Sequence, residues 1–127
     1  MAACVSVLLV DDNQTFRTIA SKFLKTLPGV QLVGTATGGL DGLAQAERLR
    51  PEMILVDLHM RDLDGFKLIP QLRTLLPHAG IIALSLSDAR GFRPATLAAG
   101  ADDFVDKATM FADLPPAIEK VQHRLAA

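Results

Sequence analysis

"VSVLLVDDNQTF", residues 5–16, decides the reading of this chain. Val5 to Val10 form a nearly unbroken apolar run of β-formers, the composition of a strand buried on both faces. The run ends in two adjacent aspartates. Beyond them Phe16, Ile19, Ala20, Phe23, Leu24 and Leu27 recur three and four apart, as on one face of a helix. A buried strand that passes into a helix through two like charges raises two questions: what architecture repeats this unit, and what the charges are for.

The unit does repeat. Further apolar runs lie at 30–36, 53–56, 81–84 and 103–105. Helical spacing follows them at Leu40, Leu43, Ala44, Ala46 and Leu49, at Leu63–Leu76, at Ala95–Ala99 and at Leu114–Leu125. Strict alternation of strand and helix predicts an α/β protein, a parallel sheet with helices on both faces. Runs 1, 3 and 4 are apolar almost throughout and belong inside; runs 2 and 5 carry Gln31, Asp103 and Asp106 and belong at the edges. The order 2-1-3-4-5 meets both demands, giving a flavodoxin-like (βα)5 doubly wound sheet. Pro28-Gly29, Pro51, Pro77 with Gly80, and Gly100 punctuate the helix ends. No repeat, low-complexity tract or linker interrupts the pattern, so residues 1–127 read as one domain.

Composition narrows the function. Thirteen Lys and Arg against fourteen Asp and Glu leave a net charge of −1, so there is no basic field to hold nucleic acid or an anionic membrane. Cys4 is the single cysteine, which excludes an internal disulfide and a thiolate metal cluster and suits a reducing compartment. No segment reaches the roughly 18 apolar residues of a membrane span, and the amino terminus lacks signal-peptide character. A cytoplasmic location is expected.

The polar residues that end the inner runs carry the chemistry. Asp11 and Asp12 follow the first, Asp57 the third and Ser85 the fourth, with Lys107 just beyond the fifth. In an open parallel sheet these carboxyl ends lie together, and the crevice between strands 1 and 3 is the expected binding site. Three carboxylates brought together repel strongly unless a cation intervenes. Oxygen-only ligands favour a hard ion, and Mg²⁺ fits best because it keeps positions open for a phosphate. With a lysine and a hydroxyl beside it, such a pocket can neutralise a phosphoryl group, and the central Asp57 can act as nucleophile.

Four stretches, "VLLVDDNQTFR", "PEMILVDLHMRDLDG", "IIALSLSD" and "AAGADDFVDKA", closely resemble the receiver (CheY-like) domain of two-component response regulators, the NarL/FixJ (LuxR-type) group in particular. The resemblance covers essentially the whole chain. It implies a phosphorylation-dependent signalling switch rather than an enzyme, in which Asp57 accepts a phosphoryl group from a sensor histidine kinase. It further implies that Asp12 holds Mg²⁺ directly, Asp11 through water, and the His59 carbonyl completes the ligation. Ser85 and Lys107 would bind the phosphoryl oxygens, and Phe104 would change rotamer on activation. Helix 4, strand 5 and helix 5 would form the output face and a possible homodimer contact. Relatives of this type continue into a helix-turn-helix domain; no such effector domain is present in these residues.

Four departures from the family pattern stand out. Arg61 occupies a place where proline is common, which predicts a less rigid loop after Asp57. Ala108 follows Lys107 where many receivers have proline, so no cis peptide is expected there. Leu86 is larger than the usual neighbour of the hydroxyl residue and is expected to narrow access. Gly91 and Pro94 fall in the fourth helix, which predicts a loose stretch from Ser87 to Arg93 and a helix that begins at Pro94.

Plainer readings compete. Asp11-Asp12 alone would be a helix cap. His59, His78 and His123 are too scattered to form a metal site. Thr37-Gly38-Gly39 matches no phosphate-loop pattern and reads as a turn. Among functions, a haloacid-dehalogenase-like phosphohydrolase shares the aspartate nucleophile and Mg²⁺, but "DDNQT" lacks the second aspartate of its D-x-D. A flavodoxin-like cofactor binder is weakened by the absence of Trp and Tyr, and a receiver acting by phosphate-independent binding sits poorly with complete pocket chemistry.

Overall fold

Side chains two apart along a strand share a face, and that rule divides the core of this protein into two layers. The computed structural model describes residues 4–86 and 89–126, the side chains of residues 89–91 and 126 excluded. Its elements are β1 (Val5–Val10), α1 (Gln14–Lys25), β2 (Val30–Ala36), α2 (Gly39–Leu49), β3 (Met53–Asp57), α3 (Gly65–Leu75), β4 (Gly80–Ser85), α4 (Ala89–Ala99), β5 (Asp103–Asp106) and α5 (Met110–Ala126), with a 3-10 turn over Lys107–Thr109. The strands pair in parallel in the order β2-β1-β3-β4-β5, the flavodoxin-like (βα)5 arrangement expected from the sequence.

Val7, Leu9, Met53, Leu55, Ile82 and Leu84 face one way and pack on Leu24 of α1 and Leu114, Ile118 and Val121 of α5. Their strand neighbours Leu8, Val10, Ile54, Val56, Ile81 and Ala83 face the other way, onto Ala46 of α2 and Leu68, Ile69 and Leu72 of α3. Burying one large aliphatic side chain is worth about 1.5–3 kcal/mol, so this two-sided alternation fixes the register of the sheet. β2 and β5 lie at the edges. Gln31 is exposed on β2, whereas Asp103 on β5 is buried and is paired with Arg93 at 3.0 Å.

The fourth helix departs from expectation. α4 runs from Ala89 through Ala99 with Pro94 inside it, so the helix does not begin at the proline and Ala89–Arg93 is helical. The expectation for Ser87 and Asp88 lies outside the described residues. Tertiary contacts outweigh the local cost: the Phe92 ring meets those of Phe66 and His59 at 5.8 and 5.2 Å, and the Arg93 guanidinium donates to Asp103 Oδ1 at 3.0 Å and the Phe104 carbonyl at 3.3 Å. α3 and α5 tolerate interior prolines too, Pro70 in one and Pro115 and Pro116 in the other. α5 begins at Met110, a turn before the expected Leu114, because Asp106 caps the preceding turn by accepting from the Ala108 N–H at 2.9 Å.

Backbone geometry favours glycine at several described positions, Gly100 and Gly65 among them. Gly100 ends α4 with φ at +121°, a conformation that side chains disfavour. Gly65 starts α3 so close to the end of β3 that a Cβ would lie 2.7 Å from Leu58 Cα and 2.8 Å from the Asp57 carbonyl oxygen. No cis peptide occurs among the described residues. No helix there is long and apolar enough to cross a membrane.

Candidate functional site: an acidic cluster at the carboxyl edge of the sheet

The parallel pairing of β1 with β3 brings Asp57, the last residue of β3, beside the two aspartates that follow β1. Asp11, Asp12 and Asp57 each offer a carboxylate oxygen, all within 4.8 Å of one another. Asp11 is fully buried and Asp57 is 4 % exposed. Lys107 answers both: its Nζ lies 2.6 Å from Asp11 Oδ2 and 3.2 Å from Asp57 Oδ1, with the side chain itself 7 % exposed. The ammonium also sits 4.0 Å from the centre of the Phe16 ring, whose π face adds a favourable contact for a cation withdrawn from water.

Burial pushes the Asp57 carboxyl above its ordinary range, and the Asp11 charge pushes it the same way. Lys107 and a hydrogen bond from the His59 backbone N–H pull it back. Asp57 is therefore a carboxylate under repulsion, held by one shared ammonium.

The loop after β1 is ordered by its own side chains. Asp11 Oδ1 accepts from the Asn13 N–H at 2.8 Å, and its main-chain carbonyl accepts from Arg17 Nη1 at 2.7 Å. Asn13, not Asp12, caps α1, its Oδ1 accepting from the Phe16 N–H at 2.8 Å. The cap reading of the paired aspartates is thereby corrected, and Asp12 is left for other work. Its Oδ2 accepts from the Arg61 N–H at 3.0 Å and Nε at 3.4 Å.

Ser85 closes β4, fully buried and paired in register with Asp106. Phe104 is a buried β5 residue opposite Ala83. The His59 ring does not join the carboxylates; it stacks edge-on against Phe92 of α4. Leu86, which follows Ser85, is 71 % exposed. His78 and His123 are in no metal-binding group among the described residues.

The glycine turn at 37–39 proves to be an anion cradle that is already filled. The Gly39 and Leu40 N–H groups donate to Asp62 Oδ1 and Oδ2 at 2.9 and 3.0 Å, so a carboxylate of the β3–α3 loop occupies the start of α2. These bonds hold the Asp62 carboxyl below its ordinary value.

Sequence reasoning placed the charged cluster but missed what surrounds it. Asn13, Phe16 and Arg17 all fall on the first turn after the aspartates, a proximity that could have flagged them. Nothing local announces the pairing of Arg61 with Asp12.

A parallel 2-1-3-4-5 sheet with three aspartates and a lysine at its carboxyl edge defines a class, the receiver-type signalling domains. The model of the response regulator receiver domain matches residues 7–119, and the chain belongs to that family, whose members are signalling domains rather than enzymes in the ordinary sense. The response regulator protein VraR of Staphylococcus aureus is 33% identical over 118 residues, 91% of this chain and 56% of VraR. The chain thus spans just over half the length of that relative. Among solved structures, the response regulator domain of Thermotoga maritima CheB is 25% identical with a TM-score of 0.81, covering 98% of each chain. A LuxR-family two-component response regulator from Aurantimonas sp. SI85-9A1 shares the fold with a TM-score of 0.88 at 23% identity, over 98% of this chain and 86% of that one.

Proposed function

We propose that this domain is a phosphorylation-dependent switch in which Asp57 accepts a phosphoryl group from the phosphohistidine of a sensor histidine kinase. The observation that carries the reading is the position of Lys107 Nζ between Asp11 and Asp57, at 2.6 and 3.2 Å, beside a third carboxylate. An Asp57 oxygen attacks phosphorus, the bond from phosphorus to the imidazole nitrogen breaks, and the imidazole leaves with that electron pair. Lys107 keeps Asp57 ionised before transfer and is placed to follow the new charge onto a phosphoryl oxygen afterwards. The Ser85 hydroxyl is assigned a second phosphoryl oxygen.

The donor set fits a hard divalent cation: three oxygen ligands, no thiolate or imidazole, and more negative charge than one lysine balances. Asp12 and Asp57 would hold Mg²⁺ directly, Asp11 through water, with the His59 carbonyl as a further ligand. When bound, the ion supplies charge neutralisation to the transferring phosphoryl oxygens. The chemical state would pass from Ser85 and Phe104 to the face made by α4, β5 and α5, which is the proposed output and homodimer surface. Residues 7–119, the span of the family match, act in this reading as a cytoplasmic receiver unit with no contact of its own to nucleic acid or membrane.

Intact-mass spectrometry after incubation with Mg²⁺ and acetyl phosphate tests the proposal. The wild type should gain one phosphoryl group and Asp57→Asn none; equal labelling of the mutant would reject Asp57 as acceptor.

A further inference from the structure

Of the three clustered carboxylates, Asp12 is the one that Lys107 does not reach. Its partner is Arg61, which approaches from the loop after β3 and uses two donors on one oxygen: its main-chain N–H at 3.0 Å and its Nε at 3.4 Å, both to Oδ2. Asp12 Oδ1 accepts no hydrogen bond from the described residues, so one oxygen is held while the other stays open. The two side chains differ in setting: Asp12 is 18 % exposed and Arg61 91 %. The sequence makes Arg61 unusual as well, since proline, common here in the family it resembles, offers neither an N–H nor a charge.

We infer that Arg61 sets the strength of the metal site: its main-chain N–H fixes Asp12, and its guanidinium offsets part of the Asp12 charge, making the hold on Mg²⁺ weaker and salt-sensitive. The inference rests on the metal reading above. The two donors act differently. The N–H belongs to the backbone and survives any substitution but proline, so it positions the ligand in every other variant. The guanidinium is a full positive charge in contact with a carboxylate that a dication must share, and it repels that dication through solvent. Because it is almost wholly exposed, its influence is modest at low salt and vanishes once the screening length falls to a few ångströms. A structural role for Arg61 would show no such dependence on charge or salt.

Mg²⁺ alone, titrated into the metal-free protein by isothermal calorimetry with amide NMR shifts as a second readout, decides the matter. Wild type, Arg61→Ala, Arg61→Lys and Arg61→Glu are compared at about 0.01 M and about 1 M ionic strength, with Asp12→Asn as control. At low salt Arg61→Ala should bind roughly two- to fivefold more tightly than wild type, Arg61→Glu more tightly still, and Arg61→Lys within about twofold of wild type. At high salt the four should converge. Arg61→Ala binding equally or more weakly at low salt would overturn the inference while leaving the metal site in place. No binding by wild type or by any Arg61 variant, with Asp12→Asn indistinguishable from them, would sink the site and the inference together. The exposure of Arg61 keeps folding out of the comparison.

Discussion

Asp57 is held in its pocket at a cost. Its carboxylate is buried, faces that of Asp11, and shares one lysine with it. Without a metal, the charged form is disfavoured by its surroundings, which is what the upward push on its pKa expresses. Replacing Asp57 with asparagine keeps the shape, removes the repulsion and leaves Lys107 to Asp11. The expected outcome is a more stable protein in Mg²⁺-free buffer, by about 1 kcal/mol or a few degrees in Tm, read by a thermal melt at neutral pH. A lower Tm would mean that the Lys107 contact outweighs burial. The residues behind this balance were legible unevenly. Asp11, Asp57 and Lys107 announce themselves because a polar residue that ends a buried strand of a parallel sheet has one place to go. Phe16 under the lysine and Arg61 on Asp12 do not, since both contacts depend on how loops meet; Asp12 and Arg61 are 49 positions apart.

Asp62 illustrates how one loop orders two helices. It lies in the segment that leads from β3 to α3, yet its carboxylate caps the start of α2 through the Gly39 and Leu40 N–H groups. Hydrogen bonds to the ionised form lower its pKa from 3.8, which gives the link a defined pH dependence. A depressed carboxyl contributes stability that is full above its unfolded-state pKa and is lost as pH falls through the folded one. Asp62→Asn should therefore lower the urea midpoint at pH near 7 and do so less and less as the medium is acidified below the unfolded value. An undiminished difference in strong acid would show that charge is not the cause. The strands and their order were readable because buried parallel strands leave long apolar runs. The start of α4 was not: Gly91 and Pro94 argue locally against a helix at 89–93, and among the described residues Phe66, His59 and Asp103 hold Phe92 and Arg93 against that local preference.

The two ends of the sheet are built for opposite purposes. At the carboxyl edge charges crowd together; near the other end Arg73 of α3 ties the chain shut. Its guanidinium donates to the Gly100 carbonyl at 3.2 and 2.7 Å, to those of Pro77 and Ala79 at 3.1 and 2.6 Å, and to Asp102 at 3.0 Å. Asp102 in turn accepts from the Ile81 N–H at 2.8 Å and pairs with Arg124 of α5 at 2.7 Å. One arginine thus links α3, the turn after α4 and the approach to β5. Arg73→Met should cost about 2–3 kcal/mol, by leaving partly buried carbonyls and a carboxylate without their donor. Arg73→Lys should recover only part of it, because a point charge cannot replace the planar fork. Chemical denaturation measures both, and full rescue by lysine would show that charge alone suffices.

Among the described residues, prolines sit inside α3, α4 and α5, and each takes a rung from the ladder of its own helix. Such a helix has little intrinsic order; α3, α4 and α5 borrow theirs from the sheet on which they lie. Detached, they would melt rather than drift away as rods. The architecture is for that reason cooperative by necessity, and α4 in particular cannot swing clear of β5 as a rigid lever: any large excursion of its first turns dissolves the element that moves.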